Sequence, residues 1–266
     1  MRRERHKPPP ARPRLLERIG LAMSTSRRFD RLWIGSFERS TVQLSRVEDA
    51  LALIKQYSPL DYARIIRQLE RIWVAVGPRE VAHYERSLNA CVLNQRFVAD
   101  PATTVEKLAA VIVHEATHAR LARCGIEYKL EQRTRHEAVC GRRELAFVAR
   151  LPNSAELQRT IAYSMEWCRA NPGKFSDAQL RENHIVGEIE ALRSYEVPEW
   201  LIRAMLMETS IFDRARKAFP KAAWAIWVLS MVVMVLTLIV FALTFALTNA
   251  FAALHEKAFS KSKPPE

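Results

Sequence analysis

The chain has 266 residues, 49% hydrophobic and 26% charged, which excludes disorder along its length and leaves room for one good-sized domain with appendages. The four cysteines (Cys91, Cys124, Cys140, Cys168) form no CxxC pair, which excludes a zinc ribbon or disulfide framework and suits a reducing compartment. The net charge of +12 sits mostly at the ends: residues 21–213 carry 27 basic against 25 acidic side chains, so no nucleic-acid groove is expected on the body.

Residues 1–28 read as a basic, proline-interrupted arm (Pro8, Pro9, Pro10, Pro13) with no fold of its own. Anionic lipid is an incidental contact for it, at roughly 1 kcal/mol per basic residue. The arm lacks the apolar run of a secretory signal. A folded domain is expected over 29–213. Within it, 29–37 reads as a short strand, and Ser45 with Glu48 as a capping box for a helix over 47–57. Pro59 and Asp61 open another helix that runs into the apolar WVAVG and stops at Gly77-Pro78. Residues 82–100 read as extended, with Val92, Leu93, Phe97 and Val98 as their apolar members. From Thr103 a long helix runs to Gly125, a second covers Glu127–Leu151, and three more cover Ala155–Ala170, Asp177–Tyr195 and Pro198–Arg214. The fold class is α+β, dominated by helix, with a small sheet.

The string His114-Glu115-Ala116-Thr117-His118 carries the chemistry. Histidines at i and i+4 on a helix share one face with Cβ atoms about 6 Å apart, so both imidazoles reach a single zinc ion. Glu115 stands beside them, placed to accept a proton from a water that the metal acidifies. The apolar run LAAVIV before the motif buries this part of the helix.

At these residues the chain resembles the zincin metallopeptidases, whose corresponding helix supplies two zinc ligands and the catalytic Glu. The metzincin form would need Gly at 121 and His at 124, where this chain has Leu121 and Cys124. The gluzincin form takes its third ligand from the next helix, and Glu137 follows His118 at the HExxH-x18-E spacing of one aminopeptidase group. The resemblance therefore implies Zn²⁺ held by His114, His118 and Glu137, with Glu115 as general base. Glu144, seven residues on and on the same face, either orients a ligating histidine or is itself the third ligand. His136 points about 100° away from Glu137 round the helix, and Cys140 reads as a buried small residue rather than a ligand. Tyr128, Tyr163, His184 and Tyr195 are candidate donors to an oxyanion, and their spacing singles none out. The segment Leu88–Val98 resembles the zincin edge strand that pairs with a peptide substrate. No GxMEN exopeptidase motif is present. The resemblance covers about residues 70–150.

A basic segment at 214–221 precedes 33 residues, Ala222–Leu254, without a charged side chain. About 20 apolar residues suffice to cross a bilayer, so a single transmembrane helix is expected over 222–250, followed by a short polar tail at 251–266. Trp224 and Trp227 suit the headgroup layer, and the charge bias across the span puts the long N-terminal part in the cytoplasm and the tail outside. The expected function is a membrane-anchored zinc metallohydrolase, a peptidase acting on a peptide or protein substrate. The alternative is a catalytically weak, zinc-holding module that binds or scaffolds at the membrane.

Overall fold

Alternating apolar residues in three short segments build the centre of the fold. The computed structural model describes residues 15–38, 40–76, 80–194, 197–200 and 202–203, and the chain divides into two compact units, Met1–Tyr195 and Glu196–Glu266. The first unit carries α1 (Leu15–Met23), β1 (Thr25–Phe29), β2 (Leu32–Ser36), α2 (Thr41–Tyr57), α3 (Pro59–Gln68), β3 (Arg71–Ala75), β4 (Ala82–Glu85) and β5 (Ala90–Asn94). These are followed by α4 (Gln95–Ala99), α5 (Val105–Arg123), α6 (Arg133–Val148), α7 (Ala155–Ala170) and α8 (Asp177–Ser194). The architecture is helix-dominated α+β around a five-stranded mixed sheet of order β1-β2-β3-β5-β4. The inner strands β2, β3 and β5 are parallel, and β1 and β4 flank them antiparallel.

The inner strands are covered on both faces. Leu32, Ile34, Ile72, Val74, Cys91 and Leu93 point into the main core, where they join Leu51 and Ile54 of α2 and Leu108 and Ile112 of α5. The alternate residues Trp73, Ala75, Ala90 and Val92 form a second cluster with Trp33 and with Leu21 of α1. A strand has period two, so one residue of register would exchange these faces.

Several elements differ from the sequence reading. Residues 15–28, read as part of the arm, form α1 and nearly all of β1. The prolines end at 13, and α1 seats against Trp73, whose indole Nε1 donates to Ser24 Oγ at 3.0 Å. The single strand read over 29–37 is a hairpin that turns through Asp30 at φ 50°. Helix α2 begins at Thr41, capped by Ser40, whose side chain accepts from Gln43 N. Ser45 and Glu48 lie inside it and face Arg27 of β1 rather than forming a cap. The helix opened by Pro59 ends at Gln68, and WVAVG supplies β3 at the centre of the sheet. A five-residue apolar run does not itself distinguish helix from strand.

The region read as extended over 82–100 is the hairpin β4–β5 followed by α4. The sheet edge beside this hairpin is therefore Ala82–Glu85, whereas within Leu88–Val98 the strand Ala90–Asn94 lies inward of that edge and Gln95–Val98 belong to α4. The first compact unit ends at Tyr195. No helix among the described residues is long and apolar enough to cross a membrane, and the span 222–250 lies outside them, as do 1–14, 214–221 and 251–266.

Candidate metal centre

Helix α5 starts where Thr104 accepts a hydrogen bond from Lys107 N at 3.2 Å. It ends in a Schellman turn: Gly125 adopts φ +74°, its N–H donates to Ala122 O at 3.0 Å, and Ile126 N–H donates to Leu121 O at 3.0 Å. Glycine takes this left-handed conformation without the Cβ penalty. The chain then turns back, so that Glu137 meets both histidines while Glu144, further along α6, meets the earlier one.

Three side chains converge. His114 Nε2 lies 3.3 Å from His118 Nε2 and 3.3 Å from Glu137 Oε2, and His118 Nε2 lies 3.5 Å from Glu137 Oε1. Tetrahedral zinc with ligand bonds of about 2.0–2.1 Å separates its ligand atoms by roughly 3.3–3.4 Å. The two nitrogens and the two carboxylate oxygens thus stand at separations close to those between ligand atoms on such an ion. On the far side of the ring, His114 Nδ1 lies 2.9 Å from Glu144 Oε2. A proton on Nδ1 donated to this carboxylate leaves Nε2 with its lone pair toward the triangle.

Without a cation, these groups neutralise one another. Burial disfavours the His114 imidazolium, but the hydrogen bonds to Glu137 and Glu144 outweigh it and raise its pKa well above the ordinary value. Burial likewise opposes ionisation of Glu137, yet its bonds to His114 and His118 hold the carboxyl well below the usual range. Glu115 is buried on the same helix. Burial raises its pKa, the nearby histidines pull the other way, and Glu137 and Glu144 add to the rise.

Cys140 is a further donor. One ring nitrogen of each histidine and the Cys140 sulfur lie within 4.8 Å of one another, so this trio could also hold a metal ion. The thiol is buried, and burial followed by the charges of Glu137, Glu115 and Glu144 pushes its pKa far up. That environment favours the neutral thiol over the thiolate a metal needs.

Tyr128 stands at the mouth. Its hydroxyl donates to Glu137 Oε1 at 2.5 Å, and its ring meets His118 and His136 edge-on, each at 5.5 Å between centroids. The Arg133 guanidinium covers the ring at 5.3 Å and is itself held by Asp177 at 2.7 Å and by Phe175 O at 2.8 Å. His136 is buried against Tyr128 and outside the triangle. Tyr163 is 72% exposed, on α7. Tyr195 and the side chain of His184 lie outside what the structure describes. The Arg133 clamp went unread in the sequence because Asp177 and Phe175 lie more than 40 positions away along the chain.

Comparison of the chain with protein-family models, with curated proteins and with solved structures finds no match in any of the three.

Proposed function

We propose that this protein is a zincin-like zinc metallopeptidase, tethered by one C-terminal transmembrane helix over 222–250 with its folded domain in the cytoplasm. The observation that supports it most is the triangle of His114 Nε2, His118 Nε2 and Glu137 carboxylate, with sides of 3.3, 3.3 and 3.5 Å, backed by Glu144 on His114. His114, His118 and Glu137 would hold the ion. Glu137 is preferred to Cys140 as third ligand because its carboxyl is already ionised where the thiol is held neutral.

A zinc ion there would polarise a substrate carbonyl and lower the pKa of a water to about 7. Glu115 would be the residue that holds and moves the proton, from the attacking water to the leaving nitrogen. Its raised pKa suits both halves of that transfer. The Tyr128 hydroxyl, which donates its one proton to Glu137 Oε1, would have to turn that proton from the ligand oxygen to serve the negative oxygen that develops. Strand β4 packs against α5 at one edge of the sheet, and its outer backbone groups would pair with an extended peptide. The membrane tether rests on the uncharged run 222–254.

The test is metal content and peptide cleavage by the full chain in detergent. Wild type should carry about one zinc per chain, His118→Ala and Glu137→Ala should lose it, and Glu115→Gln should keep zinc and lose cleavage. Zinc retained by Glu137→Ala but lost from Cys140→Ser would move the third ligand to sulfur. A folded wild-type chain that binds no zinc would end the reading.

A further inference from the structure

A cavity of about 290 Å³ lies where α3, α5 and α6 meet, on faces of α5 and α6 other than those that carry His114, His118 and Glu137. Its charged lining is Arg64, Arg120, Arg142 and Arg143 with one carboxylate, Asp61, so four guanidinium groups face a single negative charge. Asp61 is 3% exposed and fully engaged. Its Oδ2 accepts from Ser58 Oγ at 2.6 Å, and its Oδ1 accepts from Arg64 Nη1 at 3.1 Å and from Arg143, whose Nε donates at 2.7 Å. These bonds orient two of the arginines and still leave most of their five N–H donors each unused by the carboxylate. Arg120 and Arg142 are exposed, and their guanidinium groups make no hydrogen bond or ion pair among the described residues. They project from two packed helices onto one cavity, so like charges are brought together where dispersal would cost less. Thr117 also lines it, its hydroxyl donating to Val113 O at 2.8 Å, and the rest of the wall is apolar, formed by Ile65, Val113, Ala116, Val139 and Ala146.

We infer that this cavity is a binding site for a small phosphate-bearing molecule. Three positive charges in excess are poorly balanced by one carboxylate, whereas a phosphate monoester brings about −1.5 to −2 charges. Guanidinium forks also match phosphate oxygens two at a time. The volume stands at the small end of ligand sites, which suits a small molecule. The apolar wall takes the part of the molecule that carries the phosphate. The site shares no lining residue with the metal triangle and does not depend on zinc.

The test is calorimetric titration of the full chain in detergent with inorganic pyrophosphate, with dihexanoyl phosphatidic acid, and with acetate as the carboxylate control. Saturable pyrophosphate binding is expected, weakened roughly 100-fold or more in the Arg120→Ala/Arg142→Ala double variant, since bonds to charged groups are lost. It should be unchanged in His118→Ala, which separates this site from the metal centre. Both arginines are exposed, so the double variant should fold, and circular dichroism checks that it does. If phosphatidic acid binds in the same arginine-dependent way and pyrophosphate does not, the phosphate is a lipid headgroup's. No arginine-dependent binding of either phosphate, or acetate binding as tight as phosphate, would overturn the inference.

Discussion

Glu144 Oε2 lies 2.9 Å from Nδ1 of His114, while Nε2 of the same ring faces Glu137 and His118. Glu137 thus stands with the two histidines and Glu144 behind one of them, which supports the proposed reading of Glu137 as ligand and Glu144 as the group that orients His114. Glu144→Ala should therefore lower zinc affinity about 10–100-fold without abolishing binding, the range for losing a partner behind a ligand. Glu144→Gln, which keeps an acceptor, should recover part of it. Competition against a chromophoric chelator measures both. Unchanged affinity in Glu144→Ala would remove the orienting role, and complete loss would make Glu144 a ligand.

Tyr128 shares an oxygen of Glu137 and is clamped by Arg133, so its hydroxyl is fixed at the mouth of the site. Tyr128→Phe keeps the ring contacts and deletes only the donor. A drop in kcat of roughly 10²–10³ is expected if the hydroxyl serves the oxyanion, with KM and zinc content near wild type. A change in zinc affinity with kcat intact would instead show that the hydroxyl serves Glu137 alone.

The parts of this site that were legible in sequence are those set by local geometry. The 3.6-residue period places His114 and His118 together, and Gly125 announces the turn that brings Glu137 back. The unread parts depend on distant chain. The strand character of Arg71–Ala75 is decided by pairing with β2 and β5, not by its own composition. Ser45 and Glu48 satisfy a capping pattern, yet Ser40 wins the cap because Ser36 and Glu38, just before it, bond Gln43 and draw the helix start upstream. The arginine cavity needs α3, α5 and α6 assembled before it exists, and each arginine alone reads as an ordinary surface charge.

Glu115 carries a stability cost that pH exposes. Its carboxyl has a raised pKa in the fold, chiefly through burial. As pH rises through the ordinary Glu value the unfolded chain ionises first, so the metal-free fold loses stability until its own carboxyl ionises, and the deficit then stays constant. Glu115→Gln removes that loss. In chelator, the variant should melt above wild type at neutral pH. The two should converge near about pH 4, where both side chains are largely neutral. A variant no more stable than wild type at neutral pH would mean that the histidines fully compensate the buried charge.

Thiol reactivity separates the two candidate third ligands without any substrate. Cys124 is exposed at the end of α5, whereas Cys91 and Cys140 are buried with thiols that burial, first of all, pushes upward. Glu115 adds to the shift at Cys91, and Glu137 leads the charges that add to it at Cys140. Alkylation requires thiolate and access, so Cys124 should react with N-ethylmaleimide about 100-fold faster than either buried thiol. With Glu137 as the ligand, removing zinc leaves Cys140 buried and neutral, and its labelling rate should not change. With Cys140 as the ligand, the metal would hold it as thiolate, and chelation would alter its reactivity at once. Mass spectrometry of the labelled peptides, with and without chelator, reads this directly, and acceleration at Cys140 alone would transfer the third position from carboxylate to sulfur.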